Sequence, residues 1–250
     1  MRDPHVEWLE YELKAGWVFD NPPPLRWQTP VFEANLSNAL FRAELHTHFE
    51  TVEQARAAIE PFLQTWEIDV ALTYGQREIT FSFKQAHLVD RNPPPPGSII
   101  TGIATATSHG SVSGAGTVTV RRYPELPANF SAVPDVLSLW TRYEGFKNGR
   151  EPLPAMAYFC FTLINSRYGS IDAASAALAV DRAVLRKLSE LSTNRGEVST
   201  ARKMTSDLRP FVGAEALWLD AAIRALIRRV GEIASGHSPL QLTMTQLPQL

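Results

Sequence analysis

The spacing of the apolar residues changes once along this chain, near residue 123, and that change limits the possible folds more than any other feature. Before residue 123, apolar residues recur mostly at every second position, as at Phe41, Ala43 and Leu45. Beyond it they recur with the period of amphipathic helices. Because a period of two is typical of half-buried strands, we predict an α+β protein. Its N-terminal part is a mostly antiparallel sheet with one helix, and an all-α helical bundle follows.

Proline-rich segments mark the predicted domain boundary. Four consecutive prolines within residues 91–97 end the alternating run, since proline cannot donate a backbone hydrogen bond to a sheet. Residues 123–134 contain three more prolines, which is typical of a connecting segment. We therefore predict a sheet domain at 1–122, a linker at 123–133 and a helical bundle with a C-terminal tail at 134–250.

The first half contains alternating runs around one helical segment. Residues 41–50 predict a strand. Thr51 and Gln54 then form a capping box, which predicts a helix that ends at about Gln64. Residues 66–74 alternate again and predict a second strand, followed by a tight turn. The remaining predicted strands are 79–89, 99–107 and 117–122.

The second half has helical periodicity throughout. Its predicted helices are 134–147, 155–167, one or two within 172–191, and 214–233. The inward-facing residues predicted for the last helix are Leu217, Ala221, Leu226, Ile227 and Val230. Four to six helices of this kind form a bundle.

Composition excludes several classes of protein. The 24 Lys and Arg residues against 26 Asp and Glu leave a net charge of −2, so a strongly basic nucleic-acid coat is excluded. The single cysteine excludes an intrachain disulfide framework. The most apolar window, 155–164, is about half the length of a membrane span, and the N-terminus has no apolar signal core. We therefore expect a cytoplasmic protein that does not enter a membrane.

His46 and His48 form the most suggestive local cluster for a metal site. On a strand, residues i and i+2 lie on the same face, so two imidazoles could share an ion. Glu44 and Glu50 lie on that face and could add oxygen ligands. The alternative, which the sequence favours, is the polar outer face of an amphipathic strand. No cofactor is predicted: Gly114 and Gly116 form a Gly-x-Gly pair, but a third glycine and a following helix, which a dinucleotide-binding loop needs, are missing. Cys160 lies among apolar residues and is not expected to be a nucleophile.

Residues 174–191 have the apolar spacing of a helix-turn-helix. Ala179 lies at the turn position where glycine is common, and Ser175 stands where a small alanine is usual. The residues that share the apolar spacing are Ala174, Leu178, Val180, Leu185 and Leu188. The residues that would face outward from the second helix are Asp181, Arg182, Arg186 and Lys187. An ordinary pair of packed helices gives the same spacing, and the sequence alone favours that interpretation.

A further pattern combines a buried helix, the helical segment 184–191, a polar turn at 192–196 and a long closing helix at 215–232. In this organisation residues 134–235 resemble the HEPN superfamily of helical bundles, which occurs in bacterial defence, toxin–antitoxin and nucleotide-binding proteins. Active members carry an arginine, a polar residue and a nearby histidine, which form a metal-independent ribonuclease site across a dimer. Arg195 matches the arginine, whereas Gly196 replaces the polar residue and no histidine follows before His237. The resemblance implies the bundle and its dimerisation more than the catalysis.

Basic residues follow this turn and are the candidates for binding nucleic acid or a protein partner: Arg195, Arg202, Lys203 and Arg209. A solvated surface is the alternative, since acidic residues are interleaved with them.

Three functions remain open on the sequence. The leading hypothesis is a non-enzymatic interaction or assembly protein, a homodimer of the kind found in defence or toxin–antitoxin systems. The second is a divergent HEPN-like ribonuclease or nucleotide-processing enzyme that uses Arg195 and a base from elsewhere, such as His237. The third is a DNA-binding protein that uses the helix-turn-helix at 174–191.

Overall fold

The computed structural model describes residues 3–75, 78–92, 119–196 and 208–250. The chain divides into two compact units, Met1–Leu126 and Pro127–Leu250. The first contains an antiparallel sheet and one long helix, and the second is built from helices. The predicted α+β class is therefore confirmed.

The first unit is organised around a five-stranded sheet of order β3-β4-β5-β1-β6, in which every neighbouring pair is antiparallel. The strands of this unit are β1 (Pro4–Ala15), β2 (Val18–Phe19), β3 (Leu25–Gln28), β4 (Phe32–Ser37), β5 (Leu40–Leu45), β6 (Ile79–Asp90) and β7 (Thr119–Val120). Strands β2 and β7 pair separately, in parallel. The predicted return strand 79–89 corresponds to β6. The predicted strand 99–107 lies outside the described residues, as does the beginning of 117–122.

Helix α1 (Val52–Tyr74) packs on β1 and β6. Thr51 is its N-cap, as predicted, and the Thr51 side chain accepts a hydrogen bond from the backbone N–H of Gln54 at 3.2 Å. The core beneath the helix is rich in aromatic rings: the Trp27 ring lies 5.5 Å from those of both Phe41 and Trp66.

Two sequence predictions in this unit are wrong. Residues 66–74 form the second half of α1 instead of a strand. Their alternation is real, but Trp66 and Val70 also continue the helical stripe begun by Ile59 and Leu63, and Ala71 is buried beside Val70. A helix buried over a broad face therefore satisfies both periods. The strand predicted for 41–50 ends at Leu45.

The second unit is a set of packed helices. They are α2 (Pro134–Lys147), α3 (Leu153–Tyr168), α4 (Ile171–Leu178), α5 (Arg182–Asn194) and α6 (Glu215–Ala234), with a short 3₁₀ helix at Met244–Gln246. The predicted helices 134–147, 155–167 and 214–233 are confirmed to within two residues at each end. The region 172–191 contains two helices, and the second continues to Asn194. In the described part of the chain, no helix is long and apolar enough to cross a membrane.

One residue predicted to face the core from the last helix lies instead on the exposed side of that helix. Leu217 is 69% exposed, so its predicted inward position is wrong. The buried face of α6 begins at Trp218 and Leu219, and the prediction was correct from Leu226 onward. Cys160 is fully buried, and burial raises the pKa of its thiol to about 12. A thiol in this state is a packing group and a poor nucleophile.

Candidate nucleic-acid interface

Helices α4 and α5 are joined by a three-residue turn, Ala179 to Asp181. Ala179 adopts the left-handed conformation, with φ 50° and ψ 48°, and its N–H donates to the carbonyl oxygen of Ser175. This conformation costs an alanine about 1–2 kcal/mol, which is why glycine is common at such positions. Residue 179 therefore lies in a turn between two helices, where the sequence pattern predicts one.

Both helices begin with a side-chain cap. The Ser170 hydroxyl accepts a hydrogen bond from the N–H of Ala173 at 3.1 Å. An Asp181 carboxylate oxygen accepts one from the N–H of Ala183 at 2.8 Å. Asp181 therefore starts α5 directly after the turn. The five residues of the apolar spacing are all buried: Ala174, Leu178, Val180, Leu185 and Leu188.

Ser175, the departure from the usual small alanine, stabilises the turn. Its hydroxyl donates to the carbonyl oxygen of Val180 at 2.6 Å. The C-terminal tail holds the turn from the other side. Leu242 donates to the carbonyl oxygen of Ala179 and accepts from the N–H of Asp181, both at 2.8 Å. Because these bonds fix the backbone on both sides of the turn, the orientation of α5 relative to α4 is set before any ligand arrives.

The outward face at the start of α5 is basic. Arg182, Ala183 and Arg186 are exposed, and the side chain of Lys187 is 25% exposed. Arg182 contacts Asp172 of α4, with Nε and Oδ1 2.9 Å apart, and Lys187 contacts Glu190 at 3.0 Å. Among the described residues, Arg186 makes no ion pair. This face therefore presents at least one cation that the fold does not neutralise.

Arg195, the arginine of the HEPN-like turn, has a different environment at the end of α5. Its Nε and Nη2 donate to the two carboxylate oxygens of Glu215 at 2.8 and 3.0 Å. Glu215 also accepts the N–H of Val212 at 3.0 Å. These bonds lower the pKa of the Glu215 carboxyl, first through the Arg195 guanidinium. The Arg195 charge is thus used to join two segments of the unit.

Of the three other basic residues predicted to bind nucleic acid or a partner, the structure describes one. Arg209 is exposed, and its backbone pairs with that around Arg195: the Arg209 N–H donates to the carbonyl oxygen of Asn194, and its own carbonyl oxygen accepts from Gly196. The fold therefore brings Arg195 and Arg209 together at the backbone. Arg202 and Lys203 lie outside the described residues.

The two histidines of the predicted metal site follow β5 instead of lying within it. The His48 ring stacks on that of His5, with centroids 5.2 Å apart, and its Nε2 lies 3.6 Å from an Asp3 carboxylate oxygen. The backbone N–H of His46 donates to the carbonyl oxygen of Val31. Because neither histidine lies in a strand, the strand geometry from which a shared site was predicted does not apply at these positions. No group of three metal-ligating side chains occurs in the described ranges.

Two features of this interface were not found from the sequence. The hydrogen bonds from Leu242 join residues about sixty positions apart, and no local pattern marks them. The ion pair between Arg195 and Glu215 likewise has no spacing signal. By contrast, the left-handed residue Ala179 lies where the helix-turn-helix spacing places the turn, whereas Asp181, predicted to face outward from the second helix, is the N-cap of α5.

The comparisons with known proteins identify no relative. No family model matches the chain, and it matches neither a curated protein nor a solved structure. The resemblance to HEPN bundles therefore stays a prediction.

Proposed function

We propose that this protein binds duplex DNA through the helix-turn-helix formed by α4 and α5. The observation that carries the proposal is the turn itself: a left-handed residue, a capped second helix and basic side chains on the first two exposed turns of that helix. In this motif the N-terminal residues of the second helix contact base edges in the major groove. Arg182, Arg186 and Lys187 occupy those positions.

The exposed charges at the start of α5 support a contact of modest strength with a polyanion. Arg186 makes no ion pair among the described residues, and the pair between Arg182 and Asp172 is exposed, with 56% and 59% of the two side chains accessible. Exposed pairs of this kind contribute about 0–1 kcal/mol, so Arg182 can exchange Asp172 for a phosphate at little cost. Asp181 accepts the capping hydrogen bond at the start of α5, and it makes no ion pair with these arginines in the part of the chain that the structure describes.

The experiment is selection from a random pool of duplexes, followed by fluorescence anisotropy of the selected DNA at several salt concentrations. We expect an affinity that falls linearly with salt on logarithmic axes, with a slope of about −0.9 for each phosphate contacted. Enrichment of one short sequence motif is the expected sign of base contacts. Absence of duplex binding at low salt contradicts the proposal, as does preferential capture of single-stranded RNA.

The double variant Arg186→Ala/Lys187→Ala assigns the binding to this face. We expect a loss of about tenfold or more for the selected duplex. Arg150→Ala is the matched control, because Arg150 is an exposed arginine of the same unit that lies outside this motif, between α2 and α3. Equal losses in both variants would indicate general charge attraction and contradict the assignment.

A homodimer is the second candidate, and it carries forward the hypothesis of an assembly protein. Val212, three residues before α6, and Leu217, in the first turn of α6, are 68% and 69% exposed. Two exposed large apolar side chains this close in sequence are a candidate contact for a second copy, and helix-turn-helix proteins commonly bind two half-sites as dimers. Sedimentation velocity of the full chain and of Leu217→Asp tests this. A dimer that dissociates in the variant supports it, whereas a monomeric wild type contradicts it.

A further inference from the structure

The first unit contains a cavity of about 480 Å³ that the DNA-binding proposal does not use. It lies among the segment after β1, the end of α1 and residues 120–125. Its lining combines three aromatic side chains, Trp17, Tyr74 and Tyr123, with two cations, Arg121 and Arg122, and one acidic residue, Glu125. The volume falls within the range of about 300–1,000 Å³ that small-molecule sites occupy.

Two of the three aromatic side chains that line the cavity are buried, and the third is about half exposed. Trp17 is 9% exposed and Tyr123 is 8% exposed. The Tyr123 hydroxyl is held by the backbone N–H of Ala39 at 3.0 Å. Tyr74, by contrast, is 49% exposed and meets the edge of Trp17, with ring centroids 6.2 Å apart and planes at 65°. A flat ring that stacks on the exposed part of Tyr74 would bury aromatic surface beside the Trp17 ring.

The two arginines of the cavity are not equivalent. The Arg121 Nε lies 3.7 Å from a carboxylate oxygen of Asp20, so its charge has a partner in the fold. Arg122 is exposed and makes no ion pair in the part of the chain that the structure describes. Arginine recognises carboxylates and phosphates through two parallel hydrogen bonds. Arg122 is therefore the group that would hold an anion at the edge of the aromatic walls.

We propose that this cavity binds a small, flat aromatic anion, meaning an aromatic ring that carries a carboxylate or a phosphate group. The ring lies against Tyr74 and Trp17, and the anionic group pairs with Arg122. All of these residues belong to the first unit. Binding of the aromatic anion is therefore tested independently of DNA binding by the second unit.

The experiment uses the indole N–H signals of the full chain in a nitrogen–proton correlation spectrum. The chain has six tryptophans, and the signal missing in Trp17→Phe assigns that of Trp17. Salicylate and AMP are the probes for the carboxylate and phosphate classes, with benzyl alcohol as the neutral ring and inorganic phosphate as the anion without a ring. We expect at least one aromatic anion to shift the Trp17 signal saturably below about 1 mM, and both controls to shift it far less.

Two variants locate the anionic contact. Arg122→Gln is expected to weaken binding of the aromatic anion about tenfold, because a charge-assisted hydrogen bond is lost. Arg26→Gln is the matched control, since Arg26 is an exposed arginine on β3 outside the cavity. A Trp17 signal that neither probe moves overturns the proposal. So does an equal response to benzyl alcohol, or an equal loss of affinity in both variants.

Discussion

Helix α5 has arginines at both ends, and the two ends differ in what surrounds the charge. At its start, Arg182 pairs with Asp172 on a solvent-exposed surface, and Arg186 extends from the same face. At its end, the side chains of Arg195 and Glu215 are only 17% and 13% exposed and share two hydrogen bonds. In the sequence both ends are simply basic. The structure indicates that one end is available to a ligand and that the other holds the unit together.

This difference shows how a basic cluster should be interpreted. An arginine whose guanidinium is already satisfied by a carboxylate in a partly buried site must give up those bonds before it can bind phosphate. An exposed arginine loses little, because water has already weakened its ion pair. The availability of the charge, more than its presence, distinguishes a binding surface from a structural contact.

The largest effect is expected for Arg195→Ala. The substitution leaves the Glu215 carboxylate without its main partner in a mostly buried position, so the free energy of unfolding should fall by about 3 kcal/mol. Denaturation in urea, followed by circular dichroism, measures this. Arg182→Ala is the control at the other end of the helix and should change stability by less than about 0.5 kcal/mol. A similar small change in both variants would remove the distinction between the two ends.

Arg186→Ala is expected to weaken DNA binding and leave stability unchanged, the reverse of what is expected for Arg195→Ala. It should leave the free energy of unfolding within about 0.5 kcal/mol of wild type, since the side chain is exposed. It should lower affinity for a selected duplex about tenfold and reduce the salt slope by about one unit. Fluorescence anisotropy titrations compare the DNA affinity of Arg186→Ala with that of Arg195→Ala. The folded fraction of Arg195→Ala should retain the DNA affinity of the wild type. Weakened binding in Arg195→Ala alone would transfer the interface to the other end of α5.

Ala179→Gly should stabilise the protein, with a smaller effect. Glycine accepts the φ of 50° without the steric cost that alanine has, although it adds entropy to the unfolded chain. The expected gain is about 0.5–1 kcal/mol in thermal or urea unfolding. Ala183→Gly, in the exposed first turn of α5, should destabilise by about as much. If both substitutions destabilise, the entropy that glycine adds to the unfolded chain outweighs the left-handed strain at residue 179.

The fold was predictable where a local pattern had one interpretation. Thr51 and the change of period near residue 123 located α1 and the helical unit, because caps and periodicity are local properties. The second half of α1 was missed because Trp66 and Val70 satisfy both a strand period and a helix period. Leu217 was placed on the wrong face because a register error of one residue moves a helical position by about 100°.

The candidate interface was predictable only in part, for a related reason. The apolar spacing around Ala179 is a local signal, and the turn lies where that spacing places it. The pairing of Arg195 with Glu215 spans twenty residues, and the contacts of Leu242 with the turn span more than sixty. Such long-range contacts decide which charges stay available, and no sequence spacing encodes them. The same holds for the cavity at Trp17, which is assembled from three separate segments.

The smallest expected effect is the pH dependence of stability, which isolates the contribution of the Arg195–Glu215 pair at the end of α5. Hydrogen bonds from Arg195 hold the pKa of the Glu215 carboxyl below its ordinary value of 4.5. The unfolded chain therefore binds this proton first as pH falls. The stability that comes from this lowered pKa is fully present above pH 4.5 and is lost as pH falls from there through the lowered pKa of the folded state. In urea unfolding across this range, the difference in stability between wild type and Glu215→Gln should narrow with falling pH. A constant difference would mean that the carboxylate charge contributes nothing, and that the two ends of α5 differ in packing alone.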